Sequence, residues 1–381
     1  MQLSNARIVL PERVLPSASL EIEQGRIARI SETAPAGPAA IDLAGLTIFP
    51  GFIDLHIHGA VGVDTMEAGA EDLGRVGEFL ASQGVTGWLP TLVPAPNEQY
   101  QTAIKAISES VRQGHVLGVH YEGPFVNSEQ CGALHREHFC GFSGPADLDA
   151  LPVIESANAI HMITIAPEIG GGIDLIRELK RRGWVVSIGH TRATPKVLDQ
   201  AREAGANHMT HFMNAMGPLH HRAPGPIGWG LLNDDVSLDL IADGVHIDPM
   251  MLKVLLRCVT PSRMSLISDA IAAAGLGEGD YNIWGESIAV RNGRTQNARG
   301  SIAGSVISVL DAVRMMRSLG ASECDVARMA SLNPARLLGI DQDRGSIEAG
   351  KRADLVALNS QGEIKLTMID GRRVFDSGLP R

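Results

Sequence analysis

An α/β barrel of eight parallel strands, with a small β-sandwich built from both chain ends, is the fold class this sequence predicts, and three observations carry it. Between residues 51 and 344 the hydrophobic period switches repeatedly between strand and helix, with eight apolar strand candidates. The first of these strands ends in His-x-His, where an open doubly wound sheet would ordinarily place a glycine-rich phosphate loop. Residues 1–50 and 345–381 both read as short strands separated by turns, two parts of one small β domain on either side of a 51–344 catalytic barrel.

At the amino end, strands are expected at Leu3–Val9, at Leu20–Glu23 and Arg26–Ile30 around a Gln24-Gly25 turn, and around Ile41 and Thr47–Phe49. At the carboxyl end, Asp354–Leu358 and Ile364–Ile369 are β-like, and Asp370-Gly371 is a hairpin turn before Arg372–Phe375. Pairing the two ends would cover edges that otherwise stay exposed. The barrel candidates are Ile53–His58, Val85–Leu92, Val116–Tyr121, Ile160–Ile165, Trp184–Gly189, Asn207–Thr210, Val236–Ile241 and Met264–Ile267. Helical patterns fall at Glu71–Gln83, Asn97–Gln113, Asp174–Arg182, Pro195–Ala204 and Pro249–Val259. Buried strands with intervening helices over this length fit a closed parallel barrel better than an open sheet.

With 381 residues, 44% of them apolar, the chain can bury a sizeable core. Its formal charge of −10, without a long basic run, argues against nucleic-acid binding, which needs clustered Lys and Arg to neutralise phosphates. No apolar stretch reaches membrane-span length and the first residues do not resemble a secretory signal, so a cytoplasmic protein with a small-molecule partner is expected. Cys131, Cys140, Cys258 and Cys324 form no CxxC pair, so reduced thiols are expected, and Cys131 is read as an incidental loop residue.

A barrel presents its reactive groups at the carboxyl ends of its strands. Strand one carries His56 and His58, strand three ends at Glu122, strands five and six lead to His190 and His211, strand seven to His246, and strand eight to Asp269. Side chains two apart on a strand face the same way, which lets His56 and His58 share an ion. Any one of these histidines is as often a hydrogen-bonded core residue as a ligand. Recurrence at successive strand ends is what core histidines would not show, and His115, His138 and His161, which lack that placement, are left as structural.

Glu122, His190 and His211 make a three-ligand set with an open position for water, and Glu122 with His56, His58 and Asp269 could hold a second ion. Nitrogen and oxygen donors suit zinc, iron or another divalent metal, so one or two divalent ions per subunit are expected, zinc first among them. Asp269 is the expected general base and acid; the competing reading makes it a helix cap ahead of Ala270–Ala274.

The stretches PGFIDLHIHG, HYEGPF, SIGHTRA, THFMNAM, HHRAPG, IADGVH, ISDAIAAAG, GSIAGS and GSIEAGKRADLV occur in this order. In them the chain resembles the N-acetylglucosamine-6-phosphate deacetylase family, within the amidohydrolase superfamily. The resemblance implies a barrel with a small sandwich, hydrolysis of the acetamido group of an N-acetyl hexosamine 6-phosphate by metal-activated water, and a homodimer. It also implies that Glu122, His190 and His211 are the principal metal ligands and that Asp269 is the catalytic acid and base. Ala133, Asn214, Ala215, Arg222, His246, Ile302, Ala303 and Gly304 match substrate-binding positions. One departure is Leu134, where the family usually carries a polar residue. Either His135 turns in to polarise the carbonyl, or the metal does so alone with the loop remodelled around Cys131. The alternatives to N-acetylglucosamine 6-phosphate are its galactosamine epimer, another amide on the same barrel, and a non-catalytic sugar-phosphate sensor. Cyclic-amide hydrolases that bridge two metals with a strand-four lysine are disfavoured, because that segment reads AIHMITIAPE.

Overall fold

The computed structural model describes residues 1–32, 40–112, 114 and 116–379. His115 and Gln113, both named in the sequence expectations, lie outside the described residues.

Eight parallel strands follow one another around the barrel: β1 (Phe52–Ile57), β2 (Val85–Leu92), β3 (Gly118–Glu122), β4 (Ile160–Ile165), β5 (Val185–Ile188), β6 (His208–Met209), β7 (Ser237–Leu240) and β8 (Met264–Leu266). The ring is drawn together just beyond β8, where Ala270 bridges Ile57 and the Asp269 N–H donates to the His56 carbonyl at 2.9 Å. Both faces of each strand are covered, so β2, VTGWLPTL, is buried throughout. Alternate side chains divide the work. Ile53, Leu55, Leu89, Met162, Ile241 and Ile267 form one cluster, and Val119, Ile163, Val186 and Leu238 belong to another that includes the apolar faces of the helices.

The helices are amphipathic for the same reason. In α1 (Ala70–Ser82) Leu73, Val76, Leu80 and Ala81 are buried, a helical spacing that presents one stripe to the strands. The α2 (Asn97–Arg112), α3 (Gly172–Arg181), α4 (Pro195–Glu203) and α6 (Pro249–Cys258) helices lie where the periodicity predicts them. The sequence did not reveal α5 (Gly225–Leu232), α7 (Val309–Ser318), or the helical run from Glu323 to Leu337. Between β3 and β4, among the described residues, there are only short 3-10 turns at Ser128–Gln130, Arg136–His138 and Pro145–Ala150. That irregular loop is free to pass across the barrel mouth.

The two chain ends join as expected, in one hydrogen-bonded mixed sheet. Thr47–Pro50 pairs parallel with Gln2–Val9 on one side and antiparallel with Leu355–Leu358 on the other, so it bridges what would have been separate sheets. Alternation then gives the sheet two apolar faces. Leu355, Ala357, Leu366 and Met368 pack with Leu3, Ile8 and Leu20, while Phe49, Val356, Leu358 and Ile364 join the barrel's core. A further three-stranded antiparallel insertion, Gly279–Ile283, Glu286–Arg291 and Arg294–Asn297, follows β8 and was not anticipated. No helix among the described residues is long and apolar enough to cross a membrane.

Candidate active site

Two residues beyond the ends of β5 and β6, and three beyond β8, the chain bends sharply. His190, His211 and Asp269 take φ of 48°, 30° and 50° there. A left-handed backbone at a non-glycine residue costs of order 1–3 kcal/mol and persists only where surrounding structure holds it. The holding contacts are specific. Asn127 N–H donates to the His190 carbonyl at 3.0 Å, Asn214 N–H to that of His211 at 2.9 Å, and Ser305 N–H to that of Asp269 at 2.7 Å. After Ala270 the chain makes turns at 272–276 and no helix, so Asp269 is not a helix cap.

These bends bring the side chains to one point. Glu122 Oε1 lies 2.8 Å from His190 Nε2 and 3.0 Å from His211 Nε2. Its other oxygen lies 3.3 Å from His58 Nε2 and 3.6 Å from His56 Nε2. Asp269 Oδ1 approaches the same two rings at 3.2 Å and 3.3 Å. Two buried triads, His56/His58/Glu122 and Glu122/His190/His211, therefore share one glutamate, and the donor set is consistent with a two-ion divalent site. The donors fit metal ions well. The His56 and His58 Nε2 atoms face each other across 3.1 Å, and four imidazoles with two carboxylates crowd lone pairs and negative charge together out of water, which a cation offsets.

The electrostatics agree with that crowding. Burial disfavours ionised Glu122, but the imidazoles around it, His56 first and then His190 and His211, outweigh that and hold the carboxyl well below its usual range. Burial likewise disfavours charged His58, yet hydrogen bonding to Asp269 and Glu122 lifts that ring to about 10. For Asp269, burial is again outweighed, here by His56 and His58, so its carboxyl stays below the ordinary value.

Beneath the cluster runs a polar chain that the sequence did not disclose. His120, fully buried, lies 3.1 Å from Thr91 Oγ1 and 2.8 Å from Thr164 Oγ1, and the chain continues through Thr210 to Ser187. Its ring stacks edgewise on His56, with centroids 4.6 Å apart. Thr91 Oγ1 also accepts the Ile57 N–H at 3.0 Å, which fixes the backbone between the two strand-one histidines.

Above the cluster is a cavity of about 320 Å3 whose lining includes Ala133, Asn214, Ala215, His246, Ile302 and Gly304. Ala303 is packed below in an apolar cluster with Ile271 and Ile288. Arg222 is not part of that lining; it sits on an exposed turn beside His220. Leu134 lines the cavity, whereas His135 lines a neighbouring one, with Nδ1 3.3 Å from Glu137 Oε1. Cys131 is buried and accepts from Arg136 Nε at 3.1 Å. Trp284, which the sequence reading missed, meets His58 edge-on with ring centroids 5.1 Å apart.

A parallel barrel that gathers imidazoles and carboxylates around divalent-ion positions at the carboxyl ends of its strands is the architecture of a metal-dependent hydrolase. Comparison with known proteins carries this further. Residues 47–374 match the amidohydrolase family. The chain is 36% identical over 388 residues to an N-acetylglucosamine-6-phosphate deacetylase of Bacillus subtilis, covering 98% of this chain and 97% of that one. It is 38% identical over 371 residues to an N-acetylgalactosamine-6-phosphate deacetylase of Escherichia coli O157:H7, covering 96% and 97%. The solved structure of a mutant N-acetyl-D-glucosamine-6-phosphate deacetylase from Mycobacterium smegmatis, in complex with N-acetyl-D-glucosamine-6-phosphate, matches with a TM-score of 0.91 at 32% identity over 98% of this chain and 99% of that one. The chain belongs to the amidohydrolase family, in the group of the N-acetylglucosamine-6-phosphate deacetylases.

Proposed function

We propose that this protein removes acetate from N-acetylglucosamine 6-phosphate to give glucosamine 6-phosphate. The observation that carries the reading is the placement of the Asp269 carboxylate, 3.2 Å and 3.3 Å from the strand-one imidazoles, within a cavity that also opens onto Glu122, His190 and His211. His56, His58, Glu122, His190, His211 and Asp269 would hold the ions, with zinc proposed as the native metal. Divalent ions in such a set polarise an amide carbonyl and acidify a water molecule.

The chain's own residues supply the rest. Asp269, kept ionised by His56 and His58 against the effect of burial, takes the proton of the attacking water. It then gives that proton to the departing nitrogen, so the amine leaves neutral. The backbone ties from Asp269 to His56 and Ser305 fix where the proton is held. On the far side of the cavity, His246 Nδ1 is engaged by Asp243 Oδ2 at 2.7 Å, which leaves Nε2 as the ring nitrogen for a phosphate. Asn214, Ala215, Ile302 and the Ala303-Gly304 backbone complete the sugar-phosphate cradle. Arg222 would reach the phosphate from its exposed turn, in a protein that acts as a cytoplasmic homodimer. Phosphate binding remote from the amide positions the reacting carbon rather than merely retaining substrate.

A second reading, the galactosamine epimer, is favoured by the 38% identity to a relative named for that substrate. Comparing kcat/KM for the two N-acetyl hexosamine 6-phosphates and for unphosphorylated N-acetylglucosamine tests the assignment. The expected result is preference for the glucosamine epimer, with loss of both kcat and affinity when phosphate is absent. Equal turnover of the unphosphorylated sugar would overturn the cradle, and preference for the other epimer would replace the substrate.

A further inference from the structure

We propose that Trp284 is a specificity-determining residue that limits the acyl group to acetyl, by closing the reaction cavity off from a larger cavity behind it. The proposal rests on the deacetylase reading above. Trp284 lies at the tip of the hairpin formed by Gly279–Ile283 and Glu286–Arg291, where Trp284 and Gly285 have φ of 55° and 72°. Left-handed backbone at a bulky residue is an outlier that needs external support. The His58 ring supplies part of that support, meeting the indole at an interplanar angle of 83°. A polar clasp secures the hairpin region. Arg299 donates to the Ala133 carbonyl at 2.9 Å and pairs with Glu286 at 3.4 Å, tying the insertion to the loop that carries Leu134.

Trp284 lines two cavities at once, the reaction cavity of about 320 Å3 and a neighbouring one of about 600 Å3. Among the described residues it is the one that both linings share. The larger cavity continues from the indole onto an apolar strip of Met66, Val93, Pro94 and Ala95, with Glu67 and Glu98 on its polar part. Orientation follows from topology. Asn214 and His246 come from the loops after β6 and β7, whereas Trp284 packs against His58 beyond β1. An amide whose sugar phosphate is held from the β6–β7 side, with its carbonyl at the Glu122 and Asp269 carboxylates, turns its acyl carbons toward Trp284 and Leu134. An acetyl methyl fits in front of the indole, and further methylenes meet its face.

The test compares wild type, Trp284→Phe and Trp284→Ala on the N-acetyl, N-propanoyl and N-butanoyl derivatives of glucosamine 6-phosphate. One methylene too many in a closed apolar pocket typically costs about 10–200-fold in kcat/KM. Trp284→Ala should therefore raise the butanoyl-to-acetyl ratio of kcat/KM by about tenfold or more, with Trp284→Phe between it and wild type. On chelated protein, where turnover stops, calorimetry should show the N-butanoyl compound gaining affinity relative to the N-acetyl compound in the same order. Adding Val93→Phe to Trp284→Ala should take the gain back by refilling the space. An unshifted ratio in both Trp284 variants overturns the proposal. If Trp284→Ala is insoluble, Trp284→Phe decides alone, because it removes about a third of the indole ring atoms. Failure of wild type to release amine from the N-acetyl substrate would instead sink the deacetylase reading, a result separable from the ratio.

Discussion

The Nε2 atom of His190 lies 2.8 Å from Glu122 Oε1, while Nδ1 of the same ring lies 2.7 Å from the carbonyl oxygen of Gln130. A carbonyl oxygen only accepts, so Nδ1 carries the ring proton and a neutral His190 turns its lone pair toward a carboxylate. Two acceptors face each other at hydrogen-bond distance, an arrangement that a cation between them turns from repulsive to favourable. The Gln130 carbonyl sets the tautomer and aim of the ring, as partners behind metal-ligating imidazoles generally do.

Glu122 is the one residue common to both triads, so the two ion positions should stand or fall with it. After reconstitution and desalting, elemental analysis of Glu122→Ala is expected to find almost no bound divalent metal. His58→Ala should lose about half of the wild-type content, because the Glu122/His190/His211 set remains intact. Full occupancy in Glu122→Ala would contradict the shared-ligand geometry.

Asp269→Asn keeps the shape of the side chain and removes its capacity to carry a proton. Turnover should fall by about 10²–10⁴-fold, the usual worth of general acid–base catalysis. Substrate affinity measured by calorimetry should change little. A non-catalytic sugar-phosphate sensor would show no turnover to lose in either protein.

Thr164 joins His120 to Thr210 through its hydroxyl, at 2.8 Å and 2.6 Å. Thr164→Val preserves shape and leaves the fully buried His120 Nε2 without its partner, a loss of about 1–3 kcal/mol. Thermal unfolding should drop by several degrees. Metal affinity should weaken about tenfold or more, since His120 packs against His56; competition with a chromogenic chelator reads this directly.

Gly304 has φ of 56°, and a Cβ there would lie 2.6 Å from Ile271 Cγ2 and 2.8 Å from the Asp269 carbonyl oxygen. Gly304→Ala must push against the strand-eight loop that aims the catalytic candidate. We expect kcat/KM to fall by about 10²-fold, the scale of a misplacement near 1 Å. Chelator titration should show the His190/His211 position unaffected.

The barrel was legible because strand and helix periods alternate cleanly and the candidate ligands recur at or just beyond the carboxyl ends of successive strands. His56, His58, Glu122, His190, His211 and Asp269 stand out in this way, and the structure brings them together. His120 did not stand out, since a single polar residue inside a buried strand looks the same whether it supports a site or merely finds a partner. The insertion at Gly279–Asn297 was missed because its strands are short and mostly polar, although Asn292-Gly293 is a hairpin signal that could have exposed it. Trp284 therefore went unnoticed. Arg222 rests on its motif and on the fit of a guanidinium to phosphate, and motif order carries no information on where a loop side chain points. The single mixed sheet depended on Thr47–Pro50 pairing on both edges, a long-range choice that local pattern does not encode.

Amide hydrolysis at a Glu122-centred metal site is tested most directly by amine release from N-acetylglucosamine 6-phosphate by metal-replete and chelated protein. The predicted result is steady release that chelation abolishes and added divalent metal restores. Absence of release from metal-replete protein, or release that chelation leaves untouched, would contradict it.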